Sequence, residues 1–360
     1  MPLNRFSYVD WDFAASVDPT LRIRPQLQAR LARRQLPVIR YSRERLFTSM
    51  ATGSPIIFND FQVPLRRKSL RDNKAGLAEA CARLFPKHEK VRVRAGPSHQ
   101  PSYLLTPELI RRWNGKRAVL NITDLCVRTT PITRLIDTTP LSAFSLLPRS
   151  RRADIQSLEL LTLVISSAKG FSDSHTDDLD GSNHCFAGRK LWLVWDELSG
   201  LDGGLEDVER CTVYGRAAFD IDRFLSLPSA RWFVISEGHT LFLPANYAHK
   251  VVTLEHYLGI GSFLVMLPDY LRTLMYWQRL PPTWSLASRR YQRKCRVETV
   301  TRAVTNRVRS LTKAPAAVQR FWGLDHLRRA VSSCSASTRS KMLGDRASTE
   351  FVTAVRAASA

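Results

Sequence analysis

Residues 170–196 read GFSDSHTDDLDGSNHCFAGRKLWLVWD. The end of this stretch, Leu191-Trp192-Leu193-Val194-Trp195, is an unbroken apolar run of aromatic and branched side chains, the composition of a buried strand. Upstream of it stands His175-Thr176-Asp177. In extended backbone, residues two apart project to the same side. One imidazole and one carboxylate can therefore face a common metal ion. Taken alone such a pair recurs by chance, and each histidine could equally be a core residue.

Residues 238–249, GHTLFLPANYAH, supply the missing partner. They place Gly238, Phe242, Pro244 and His249 in order, with strand-like sequence on either side. Two histidines and one carboxylate on one face of a metal, with positions left open, are the ligand set of non-haem iron(II) oxygenases. Further out, ELLTLVIS, RKLWLVW, RWFVIS, HTLFLP, HKVVTL and YLGIGSFLVML are short apolar runs punctuated by Gly, Pro, Ser and Asp. That spacing predicts a β-sandwich or barrel over residues 158–268. DELSGLDGGLEDVER reads as a polar loop. RAVLNITDLCV (117–127) reads as a strand, and GSPIIFNDF (53–61) as a turn and a short strand. QLQARLARRQL (26–36) has helical spacing ended by Pro37, and the basic stretch 64–94 is helix-prone. From residue 269 onward the periodicity is helical, until a Ser-, Ala- and Thr-rich tail of about 25 residues that is expected to be loosely ordered.

These motifs resemble the JmjC and related cupin-like oxygenases, whose pattern is HxD, then GxK, then a GxxxFxP-type strand leading to a distal histidine. Here these are HTD at 175–177, GRK at 188–190 and GHTLFLPANYAH at 238–249, over a range of about 105–268. The spacing is similar to the asparaginyl-hydroxylase branch. The resemblance implies a mainly β, α+β chain with a double-stranded β-helix (jelly roll) core at 105–268. It leaves a basic mixed extension at 1–104 and a basic helical region at 269–360. It also implies Fe(II) on His175, Asp177 and His249, 2-oxoglutarate as cosubstrate and O2 as oxidant. Cosubstrate decarboxylation to succinate would be coupled to hydroxylation of a substrate C–H bond, or to demethylation by way of hydroxylation. Lys190 would pair with the distal carboxylate of 2-oxoglutarate, because a buried carboxylate requires a charged, hydrogen-bonded partner. A surface lysine beside Arg189 is the bland alternative. Ser172 is carried over as a second contact, with Ser174 close enough to compete, and Ser262 as a third. Asn121 and Thr123 are cosubstrate contacts or structural residues. An iron halogenase is disfavoured because Asp177 is present.

The remaining features set limits. The chain's formal charge of +22 is uneven: residues 1–150 carry net +15, 151–280 net −5 and 281–360 net +12. Basic ends suit a nucleic acid or other polyanion, or else a solvated surface. On a helix, Arg289, Arg293 and Arg296 fall on one side. The six cysteines are scattered without a CxxC, which argues against a zinc module or a disulfide framework and for an intracellular chain, cytoplasmic or nuclear. No run of apolar residues is long enough to span a membrane, and the start of the chain has no secretory h-region. A protein side chain is the expected substrate. The rival from another class is a non-catalytic cupin-like scaffold or polyanion-binding protein.

Overall fold

The computed structural model describes residues 9–70, 73–84, 90–95, 100–115, 119–127, 132–146, 161–177, 179–202, 205, 219–245, 247–279, 287–335 and 346–357. Among the described residues eleven strands form one sheet: β1 (Val38–Ile39), β2 (Ile56–Phe58), β3 (Lys90–Ala95), β4 (Gln100–Leu105), β5 (Leu120–Cys126), β6 (Leu161–Ser166), β7 (Phe171–Thr176), β8 (Asp180–Asp196), β9 (Arg231–Ser236), β10 (Thr240–Leu243) and β11 (Tyr247–Leu264). The main path is β1-β2-β10-β8-β11-β6-β5-β3-β4, with β7 added on β11 and β9 on β8. Among these strands only the β1–β2 pairing is parallel. With the surrounding helices this is an α+β chain.

Two long strands organise the sheet. β8 and β11 pair with each other along nearly their whole length, and each changes neighbours halfway. The first half of β8 pairs with β10, its second half with β9. The second half of β11 pairs with β6, its first half with β7. The change falls where the register shifts between Thr253 and Gly259 and where Gly188 adopts φ +81°. A side chain at 188 would put its Cβ 2.0 Å from the His256 carbonyl oxygen, so only glycine fits this corner. The two parts of the sheet thereby face each other. Between them lie Val164, Cys185, Trp192, Val194, Phe233, Ile235, Leu241, Leu243, Tyr247, Val251 and Tyr257, packed as one core cluster. HKVVTL and YLGIGSFLVML, read as separate runs, are one strand, because β11 crosses the corner without breaking.

Other elements correct or refine the sequence expectations. The sheet has strands on both sides of the 104/105 boundary, since β1 to β3 lie before it and β4 spans it. The polar loop begins with a helix, Glu197–Asp202, and residues 206–210 lie outside the described residues. Helices Tyr270–Arg279, Ala287–Thr312, Ala316–Phe321 and Leu324–Ser333 follow the strands. The tail is not loose throughout: Arg346–Ala357 is helical and buries Phe351, Val352 and Val355 against Val300, Val304 and Val308. Its Ser/Ala/Thr composition hid this, because three apolar residues at helical spacing suffice to anchor one face. The side chains of Arg289, Arg293 and Arg296 lie outside the described residues, whereas Arg302 and Arg309 on the same helix are exposed. Cys81, Cys185 and Cys334 are free thiols. No described helix is long and apolar enough to cross a membrane.

Candidate active site

The end of β7 carries His175, and Asp177 follows directly after it; His249 lies near the start of β11. Antiparallel register sets His249 opposite His175. Their ring centroids are 4.1 Å apart, and His249 Nε2 is 3.8 Å from Asp177 Oδ2. Each ring has its Nδ1 tied locally: His175 to the Asp173 carbonyl at 2.7 Å, His249 to the Tyr247 carbonyl at 3.1 Å. A carbonyl can only accept, so each Nδ1 carries a proton, and Nε2 is the nitrogen that keeps the lone pair in the neutral ring. Trp192 stacks on His249 at 5.2 Å and fixes its ring plane. Burial, reinforced by the neighbouring His175, holds the His249 imidazole well below its ordinary pKa, hence neutral. Neutral imidazole is the form that binds a metal.

Ser172 and His175 both line the same cavity although three residues apart. In a regular strand they would face opposite ways. The pairing His249↔His175 is followed by Val251↔Ser172, so Lys250 alone opposes two residues, Asp173 and Ser174. This β-bulge shifts the phase of β7 and turns both side chains inward. Ser172 Oγ accepts from Asn121 Nδ2 at 3.0 Å, and Asn121 Oδ1 accepts from Ser166 Oγ at 2.6 Å. Asn121 is thus a structural support for Ser172. Ser174 is buried but lies outside the cavity lining; the side chain of Thr123 and all of Asp178 lie outside the described residues.

The cavity holds about 150 Å³ and is lined from β6, β7, β10 and both halves of β8 and β11. Lys190 is 2% exposed and lines it, its ammonium 4.7 Å from the centroid of the Tyr257 ring. Tyr257 is fully buried and donates to Asn183 Oδ1 at 2.6 Å. Ser262 also lines the cavity, with its Oγ 3.4 Å from that of Ser182. Tyr257 and Trp192 were not singled out by sequence as site residues. The strand alternation that puts Lys190 inward also puts Trp192 inward, and that signal was available. Tyr257 reaches the site only through the irregular register at the β11 corner. Asp180 is buried in β8 and accepts from the Ala245 and Met266 amides. His184 is buried against Thr240 Oγ1 at 2.7 Å, its pKa pushed down to about 4 by burial, and His239 is likewise lowered by burial.

The donor set fits an iron(II) ion and a small dicarboxylate. Two imidazole nitrogens and one carboxylate meet at the cavity, an ammonium lies within it, and the Trp192 indole Nε1 is a buried donor without a hydrogen-bond partner. Among the described residues no three His, Cys, Asp or Glu side chains form a ready-made metal group. Ligands about 2.1 Å from one ion stand roughly 3 Å apart at a right angle. At 3.8 Å, Asp177 and His249 must close by somewhat under an ångström. Asp177, just past the end of β7, is the more exposed of the two. No family model matches the chain, and no match was found among curated proteins.

Proposed function

We propose that the chain is an iron(II)- and 2-oxoglutarate-dependent dioxygenase that hydroxylates a protein side chain, or demethylates one through hydroxylation. The observation that carries this reading is the convergence of His175, Asp177 and His249 on a cavity whose interior presents Lys190. The resemblance to the JmjC oxygenases supports it, as does a sheet whose two parts face each other, which suits a double-stranded β-helix. When bound, iron(II) with 2-oxoglutarate supplies activation of dioxygen for C–H oxidation.

The chain's own residues have distinct parts. His175, Asp177 and His249 hold the ion, both imidazoles oriented by the carbonyls at Nδ1 and that of His249 kept neutral by its burial. Lys190 neutralises the distal carboxylate of the cosubstrate, while Ser172, Ser262 and the Trp192 indole offer it hydrogen-bonding groups. The apolar wall of Val164, Leu241, Leu243 and Val251 excludes water, which strengthens every charge interaction inside. The test is succinate release from 2-oxoglutarate by the iron-loaded protein, followed by mass spectrometry of candidate protein substrates for one added oxygen or one lost methyl. Folded, iron-loaded protein that releases no succinate with any substrate would leave the scaffold reading in its place.

A further inference from the structure

The β-bulge at Asp173 and Ser174 turns Ser172 and His175 to the same side, and something must hold it. The side chain opposite it is Lys250, next in the chain to His249 and 2% exposed. Its ammonium lies 2.8 Å from Asp173 Oδ1 and 2.7 Å from Asp18 Oδ2. The rings of Phe171 and Phe219 flank it at 5.6 and 5.4 Å. The Asp173 carboxylate grips Lys250 while the carbonyl of the same residue accepts from His175 Nδ1. Lys250 therefore bonds the residue that orients one histidine and adjoins the other. Asp18 comes from the N-terminal segment, at the end of the helix Trp11–Val17, and is itself 7% exposed.

We infer that Lys250, held by Asp18, is a positioning residue of the metal centre: it pins the bulge in β7 and so sets where His175 meets the ion. The N-terminal segment is in this sense a component of the site. The inference rests on the proposed metal-binding reading. Groups one step removed from metal ligands typically change metal affinity by about 10- to 100-fold when altered. A buried ion pair as such need not do so, since its loss is felt as stability.

The experiment is a Co(II) titration of the full chain, followed by visible absorption, with thermal unfolding measured on every variant. Wild type, Lys250→Met, Asp18→Asn and Phe351→Leu are compared. Phe351→Leu is the control, because Phe351 packs among the C-terminal helices and is not one of the residues lining the cavity. Lys250→Met is expected to weaken Co(II) binding by about tenfold or more and to alter the shape of the Co(II) spectrum. Asp18→Asn keeps the side-chain shape and is expected to shift both in the same direction to a smaller degree; it carries the test if Lys250→Met does not fold. Phe351→Leu is expected to lower the unfolding temperature and leave affinity and spectrum alone. Variants that lose only thermal stability, with wild-type Co(II) affinity and spectrum, would overturn the inference. A wild type that binds no Co(II) would instead contradict the metal reading, and the inference with it.

Discussion

At the scale of single residues, the buried charge in the cavity gives the sharpest expectation. Lys190 is almost wholly buried, and removing one partner of a buried charge pair costs about 3–5 kcal/mol. In Lys190→Ala the 2-oxoglutarate concentration giving half-maximal succinate release should therefore rise by at least about tenfold. Unchanged half-saturation would take Lys190 out of the cosubstrate site. Trp192→Phe tests a smaller term. It removes a buried donor that has no protein partner while keeping the stacking on His249. If the indole serves the cosubstrate, 2-oxoglutarate affinity falls by a few-fold, about 1 kcal/mol for one hydrogen bond. Thermal stability should be unchanged or raised, since the orphan donor is gone; a variant that instead loses stability without losing affinity would show that the indole serves packing alone.

At the scale of elements, the corner of β8 and the tie at its neighbour β11 make separate predictions. Gly188→Ala forces a Cβ to within 2.0 Å of a backbone oxygen at φ +81°. Neither strand can yield without breaking the β8–β11 ladder, so a loss of at least about 2 kcal/mol is expected from urea unfolding. Asp18 gives a pH dependence. Burial raises its pKa, but the Lys250 charge and hydrogen bond, with those of Thr20, outweigh it and leave the carboxyl below its ordinary value. A carboxyl with a lowered folded pKa stabilises fully above its unfolded value and loses that contribution as pH falls through the folded one. Urea midpoints of wild type should therefore drop more steeply below about pH 4 than those of Asp18→Asn. These features also mark what could be read in advance. Most strand cores were legible because their apolar runs are dense and well punctuated. The corner, the bulge and the Lys250 tie were not: each depends on which strand pairs with which, and a one-residue change of register reverses the side a residue faces. Ser172 is the clearest instance. Its part in the site came from family resemblance, and its physical cause, the bulge, became visible only in the pairing of β7 with β11.

At the scale of the whole molecule, the helices after β11 are bound into the structure. Val300, Val304, Val308, Leu324, Leu327 and Phe351 pack with Tyr270, Leu274 and Trp277 in one buried cluster. Cutting the chain near residue 280 would expose that surface, so the basic surface is better tested by charge reversal. Arg302 and Arg309 are exposed on the helix Ala287–Thr312. If the basic end meets a nucleic-acid backbone, Arg302→Glu with Arg309→Glu should weaken RNA or DNA binding and flatten its salt dependence, because fewer counterions are released. Equal binding by both proteins at low and high salt would leave these arginines as solvated surface. The central claim concerns the metal. Its most direct test is an anaerobic calorimetric titration of the apo-protein with iron(II), repeated for Asp177→Ala and His249→Ala. One iron(II) per chain is expected, bound more tightly when 2-oxoglutarate is present, and lost in both variants. Folded protein that takes up no iron(II), or variants that bind it as wild type does, would contradict the claim.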